Sequence, residues 1–88
     1  MATTFHLQIV TQERTVYEGR VVSIVVPGEG GSLGVLAHHA PLLTTLGKGR
    51  LTIKGDGPTK EFLLTGGFLE VHQNEATLLA DSLEPISA

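Results

Sequence analysis

Gly and Pro punctuate this chain so densely that little room is left for a helix. Gly19, Pro27-Gly28, Gly47 with Gly49, Gly55-Asp-Gly-Pro58, Gly66-Gly67 and Asn74 recur at short intervals. Each supplies positive φ, fixed φ or a side-chain turn where an extended segment has to end. No window of about a dozen residues keeps a helical apolar period. Between the separators lie runs of β-branched and large apolar residues: 5–10, 20–26, 33–36, 42–46, 50–54, 61–65, 68–72 and 76–80, with 15–17 as a further short segment. Many short strands at close spacing are the predicted elements.

Several runs alternate as a half-buried strand does. Phe5, Leu7 and Ile9 stand opposite His6 and Gln8, and Leu51 and Ile53 stand opposite Arg50, Thr52 and Lys54, so each run offers one face to a core. The run Val21-Val-Ser-Ile-Val-Val26 is apolar on both sides, which predicts a central strand or a face covered by something else. Two small sheets facing one another bury so many short strands most simply, so the expected fold is all-β, an antiparallel sandwich or flattened barrel.

The 88 residues allow one domain and no second core. Six Lys and Arg residues are scattered singly at positions 14, 20, 48, 50, 54 and 60 against a net charge of -3, so no basic run tracks a phosphate backbone and nucleic acid is not an expected partner. Cysteine is absent, which removes a disulfide framework and a thiol nucleophile. The apolar runs fall far short of the roughly 18 residues a membrane span needs, and the start of the chain has no basic stretch leading into an apolar one. Membrane association is therefore expected only through a partner.

Candidate chemistry is sparse. Gly28-Glu-Gly-Gly-Ser-Leu-Gly34 follows a strong strand, but Pro41 comes soon after and no crossover helix follows, as a dinucleotide-binding turn requires; nor does a Lys with Ser or Thr close it as in a phosphate loop. A loop that exposes its backbone for a turn or a partner is the better reading. His38 and His39 are adjacent and so point to opposite faces of a strand, His6 and His72 are remote, and no ligand spacing for zinc appears. Ser23, Ser32, Ser82 and Ser87 lack a nucleophile elbow. No catalytic, cofactor or metal residues are assigned, and a binding module is expected rather than an enzyme. The alternative is a stand-alone β-sandwich carrier of a ligand or cofactor. Lys54, just before Gly55-Asp-Gly57, is its nearest attachment point, without the flanking residues such carriers use.

Ordered segments then carry a resemblance. Thr4-Phe-His-Leu-Gln-Ile-Val10, Tyr17-Glu-Gly19, Gly31-Ser-Leu-Gly-Val-Leu36, His39-Ala-Pro-Leu-Leu-Thr44, Thr65-Gly-Gly-Phe-Leu-Glu-Val71 and Ala76-Thr-Leu-Leu-Ala-Asp81 together resemble the epsilon subunit of bacterial F-type ATP synthases. Their order and spacing, across nearly the whole chain, carry the weight. The resemblance implies a ten-stranded antiparallel β-sandwich of two five-stranded sheets, here residues 1–81, with a short tail at 82–88. It implies a non-catalytic rotor subunit at the central stalk, held between the gamma subunit and the membrane c-ring, without cofactor and not an obligate homo-oligomer. The expected location is peripheral, on the cytoplasmic side of a bacterial plasma membrane.

By position, the resemblance places Thr11, His39, Leu42 and Thr44 toward gamma. It places Glu29, Gly30, Gly31 and Ser32 toward the c-ring, where some relatives carry an acidic residue at the position of Ser32 and Glu29 supplies charge instead. Family members continue into a C-terminal helical hairpin that inhibits ATP hydrolysis and in some species binds ATP. This sequence stops at Ser82-Leu-Glu-Pro-Ile-Ser-Ala88, so neither braking nor ATP binding is expected of it.

Overall fold

The computed structural model describes residues 3–86, so Met1, Ala2, Ser87 and Ala88, the two ends of the expected domain and tail, lie outside the described residues. Ten strands form: β1 (Phe5–Val10), β2 (Thr15–Val21), β3 (Ser23–Gly28), β4 (Gly31–Leu36), β5 (Leu42–Leu46), β6 (Gly49–Lys54), β7 (Lys60–Leu64), β8 (Gly67–His72), β9 (Glu75–Ala80) and β10 (Leu83–Pro85). Most turn residues stand where the sequence places them, but Gly19 is no separator: it pairs with Leu7 inside β2, because its neighbours Glu18 and Arg20 continue the ladder with β1. No helix occurs among the described residues.

Hydrogen bonding runs without interruption in the order β10-β7-β6-β3-β5-β8-β9-β1-β2, with β4 on the other edge of β3. The link between β3 and β5 is a single pair, Gly28 with Leu46. On one side of it lie β4, β3, β6, β7 and β10, called here the β3 half; on the other lie β5, β8, β9, β1 and β2, the β8 half. The expectation of two separate antiparallel sheets is corrected in two respects. The strands form one continuous curled sheet, because β5 and β6 are nearly consecutive and the Gly47 N–H, at the bend between them, donates to Pro27 O at 2.8 Å. The sheet is also mixed, since β1 runs parallel to β9 from His6 beside Glu75 to Val10 beside Leu79. Hairpins force antiparallel neighbours, but β1 and β9 are far apart in sequence, so no turn dictates their direction.

Alternation along the strands then decides the core. Phe5, Leu7, Ile9, Leu69 and Leu78 from the β8 half and Ile24, Leu51, Ile53 and Leu64 from the β3 half are buried in one cluster, the arrangement of two inner faces packed together. The run at 21–26 is a correction. β3 is a central strand as expected, between β4 and β6, but the run is not one strand: it breaks at Val22, whose N–H donates to Lys54 O at 2.7 Å as the chain passes from β2 in one half to β3 in the other. Beyond the break Ile24 and Val26 are buried and Val25 is 37% exposed, the ordinary pattern of a one-sided strand.

The later crossing, from β7 to β8, is made by Gly66 and Gly67, at φ of 146° and 149°. A Cβ on Gly67 would overlap the carbonyl oxygen of Leu79, so only glycine passes there. Asp81 N–H donates to Gly66 O at 2.9 Å, tying this crossing to the one that leads into β10. That last strand continues the sheet beyond Asp81, pairing Leu83 with Leu64 and Pro85 with Phe62, and Ile86 N–H donates to Glu61 O at 3.0 Å. Much of the expected tail is thus sheet.

Candidate functional site

With the inner faces filled, what the fold offers to other molecules is its outer faces and its turns. On the β8 half the pairing brings Thr45 beside Phe68, Phe68 beside Leu79 and Leu79 beside Val10. These four residues make one row across four strands, all pointing away from the core. Leu43, two residues before Thr45 on the same face, extends the row diagonally. Leu43, Phe68 and Leu79 are 70%, 47% and 51% exposed. A shallow groove at this end is lined by Val10, Thr11, Gln12, Phe68, Leu79 and Asp81. A contiguous apolar strip rimmed by polar groups is the surface pattern of a docking site.

The β3–β4 hairpin ends beside that row. Its turn is just Glu29-Gly30, because Gly28 already pairs with Gly31, and Gly31 takes φ of 130°. The segment read as a loop from 28 to 34 is therefore mostly strand, with a two-residue tip. The hydroxyl of Thr45 donates to a carboxylate oxygen of Glu29, so the tip is tied to the end of the apolar row.

The positions predicted to face gamma do not form one patch. Thr11 borders the row, in the turn after β1, where its N–H donates to Arg14 O at 2.9 Å and its hydroxyl accepts from Glu13 N–H at 3.3 Å. His39 lies at the other end of the same strands, on the order of 17 Å away for a six-residue strand. Its Nδ1 donates to Ala40 O at 2.7 Å. Leu42 pairs with Val71 and Thr44 with Leu69, both partners being buried, so Leu42 and Thr44 share the inward parity and are half-buried. The outward positions of that strand are Leu43 and Thr45. The positions predicted to face the c-ring, Glu29, Gly30, Gly31 and Ser32, do lie together at the exposed hairpin tip.

Sequence reading missed Phe68, Leu79, Leu43 and Thr45. A signal was present at Leu78-Leu79 and Leu42-Leu43, where both faces of a short strand are apolar. Parity there is decided by neighbours, not by the strand itself. His38, His39 and His72 gather at the far end near Asn74, whose side chain accepts from His38 N–H at 2.8 Å and donates to Thr4 O at 3.0 Å. Asn74 thereby ties two turns to the segment that leads into β1. Lys54 closes β6 and uses its carbonyl for Val22.

Residues 4–86 match the family described as ATP synthase, Delta/Epsilon chain, beta-sandwich domain. The chain belongs to this family. Among curated epsilon chains it is 46% identical over 81 residues to the ATP synthase epsilon chain of Pelotomaculum thermopropionicum, covering 92% of this chain and 60% of that one. To the ATP synthase epsilon chain of Caulobacter vibrioides it is 42% identical over 76 residues, covering 86% of this chain and 88% of that one. The chain thus spans about 60% of the length of the first of these epsilon chains and most of the second. Among solved structures, a chain of the Euglena gracilis mitochondrial ATP synthase, resolved with OSCP, F1 and c-ring, superposes with a TM-score of 0.88 at 22% identity, over 97% of this chain and 55% of that one. This likeness supports the epsilon-type sandwich fold. None of these relatives is a carrier domain, and the carrier reading is not favoured.

Proposed function

We propose that this chain is the coupling sandwich of the epsilon subunit in a proton-translocating F-type ATP synthase, a non-catalytic part of the rotor held between gamma and the c-ring. The observation that carries the reading is the family match over residues 4–86. To this reading we add a division of labour. The apolar row of Phe68, Leu79, Val10 and Leu43, with Thr11 at its border, is the surface we assign to gamma. The neighbouring tip of Glu29, Gly30, Gly31 and Ser32 is assigned to the polar loops of the c-ring. His39, Leu42 and Thr44 contribute by holding that face in place, His39 from the far end and the other two from inside. A sandwich that transmits torque needs a broad contact, about 2,000 Å2 or more in total for a permanent interface, rather than a pocket. Such a protein sits peripherally on the cytoplasmic side of a bacterial membrane.

The test is co-purification of the 88-residue chain with gamma and c-ring, followed by proton-driven ATP synthesis in reconstituted vesicles with and without it. Capture by both partners and restored synthesis are expected; capture by neither overturns the reading. The same preparation measures ATP hydrolysis by an epsilon-depleted catalytic complex. We expect the sandwich to leave hydrolysis uninhibited, because every described element is a strand and the last is hydrogen-bonded to β7.

A further inference from the structure

Beyond the ladder of its own hairpin, little holds the tip to the rest of the protein. A Cβ built on Gly30 or Gly31 meets no atom within 4 Å, and the same is true of Gly34, so this segment does not pack closely on the body of the protein. Main-chain support from the β8 half amounts to the single Gly28–Leu46 pair and the bond from Gly47 to Pro27. Between Arg20 and His38 the one ionisable side chain is Glu29, and its carboxylate accepts from the Thr45 hydroxyl on the outer face of β5.

We infer that Thr45 is a positioning residue for the tip, acting through the Glu29 carboxylate. Two-residue turns flanked by glycine have many accessible backbone states, and a side-chain hydrogen bond restrains which is occupied. Because Thr45 pairs with Phe68, the restraint also fixes the tip relative to the apolar row. The two contact regions are thereby held at a set angle. This inference deepens the proposed role in the rotor and rests on it for its consequence, but the restraint itself is a property of the isolated chain.

The experiment is amide exchange by NMR on the full chain and its variants Thr45→Val, Thr45→Ser, Glu29→Ala and the double variant Thr45→Val with Glu29→Ala. Thr45→Val and Glu29→Ala should each speed exchange at the Gly31 amide, which lies in the ladder opposite Gly28, about fivefold, the factor one net hydrogen bond represents. Thr45→Ser, which keeps the hydroxyl, should restore the native rate, and the double variant should be no faster than either single one. Exchange in β8 and β9 should not change, which separates loss of the restraint from loss of the fold. Equal rates in all variants, or additive effects in the double one, would overturn the inference. In reconstituted vesicles Thr45→Val should lower synthesis per proton translocated. If the wild-type chain binds no rotor partner, the functional proposal fails while the exchange result stands.

Discussion

The two halves of the sheet bury equivalent inner faces and present different outer ones. On the β3 half the exposed apolar residues are isolated by polar neighbours in register. Leu36 pairs with Ser23, which pairs with Lys54. Leu63 sits between Arg50 and Glu84. Val25 faces Thr52, and Arg50 Nη1 reaches Glu61 Oε2 at 3.5 Å. On the β8 half, by contrast, Phe68, Leu79 and Val10 are consecutive cross-strand neighbours. Burial alone does not separate the halves; register does. Cross-strand pairing decides whether exposed apolar side chains are diluted or joined into a surface, and only the joined ones offer a partner a continuous apolar strip.

The comparison can be broken most severely where the halves are hinged together. Gly67→Ala should cost about 3 kcal/mol or more, from positive φ and overlap with the main chain of β9. Denaturant unfolding would read this as a lowered midpoint with unchanged slope. A near-neutral result would mean that the crossing relaxes easily and the halves are not rigidly joined.

Inside the β8 half, Thr44→Arg should destabilise folding by about 2 kcal/mol, because it brings charge to an inward position beside Leu69. Thermal unfolding of the free chain checks it. Unchanged stability would show that Thr44 has free access to solvent, and its assignment to the inner side would have to be given up.

The outer faces themselves are compared by Phe68→Asp and Leu36→Asp. The first should weaken gamma binding by about 2 kcal/mol, the scale of a central apolar contact, while the second leaves it nearly unchanged. Calorimetric titration of gamma with each variant measures the difference. Equal losses would assign the docking surface to both faces, and no loss from Phe68→Asp would remove it from the β8 half.

The smallest expected effect is that of Arg50→Ala. Its pair with Glu61 is long and exposed, so stability should change by no more than about 0.5 kcal/mol, and less at high salt. A larger loss would identify the β3 outer face as a charge network that supports the fold.

Much of the fold was legible before the structure because strand burial is a local property with a period of two. Phe5, Leu7 and Ile9, or Leu51 and Ile53, announce their inner face without reference to any partner. The turns were equally legible, since Gly66-Gly67 and Pro27-Gly28 restrict or free the backbone at the positions where they stand. Family membership, too, was carried by short ordered segments. What depended on residues distant in sequence was not legible. The parallel β1–β9 ladder, the joining of the halves through Gly28 and Leu46, and the attachment of β10 to β7 are choices among strands that look alike locally. The same holds for the site. Leu42-Leu-Thr-Thr45 has no alternation of its own, so its pairing with Glu70 and Phe68 on one side and Leu69 and Val71 on the other decided that Leu43 and Thr45 face outward. A shift of one residue in register exchanges the two faces of a strand. Turn chemistry and alternation therefore determined that this chain is a sheet protein, and its ordered segments marked the family. Where a strand is apolar on both faces, as at Leu42-Leu43 and Leu78-Leu79, tertiary pairing alone determined which residue became core and which became surface.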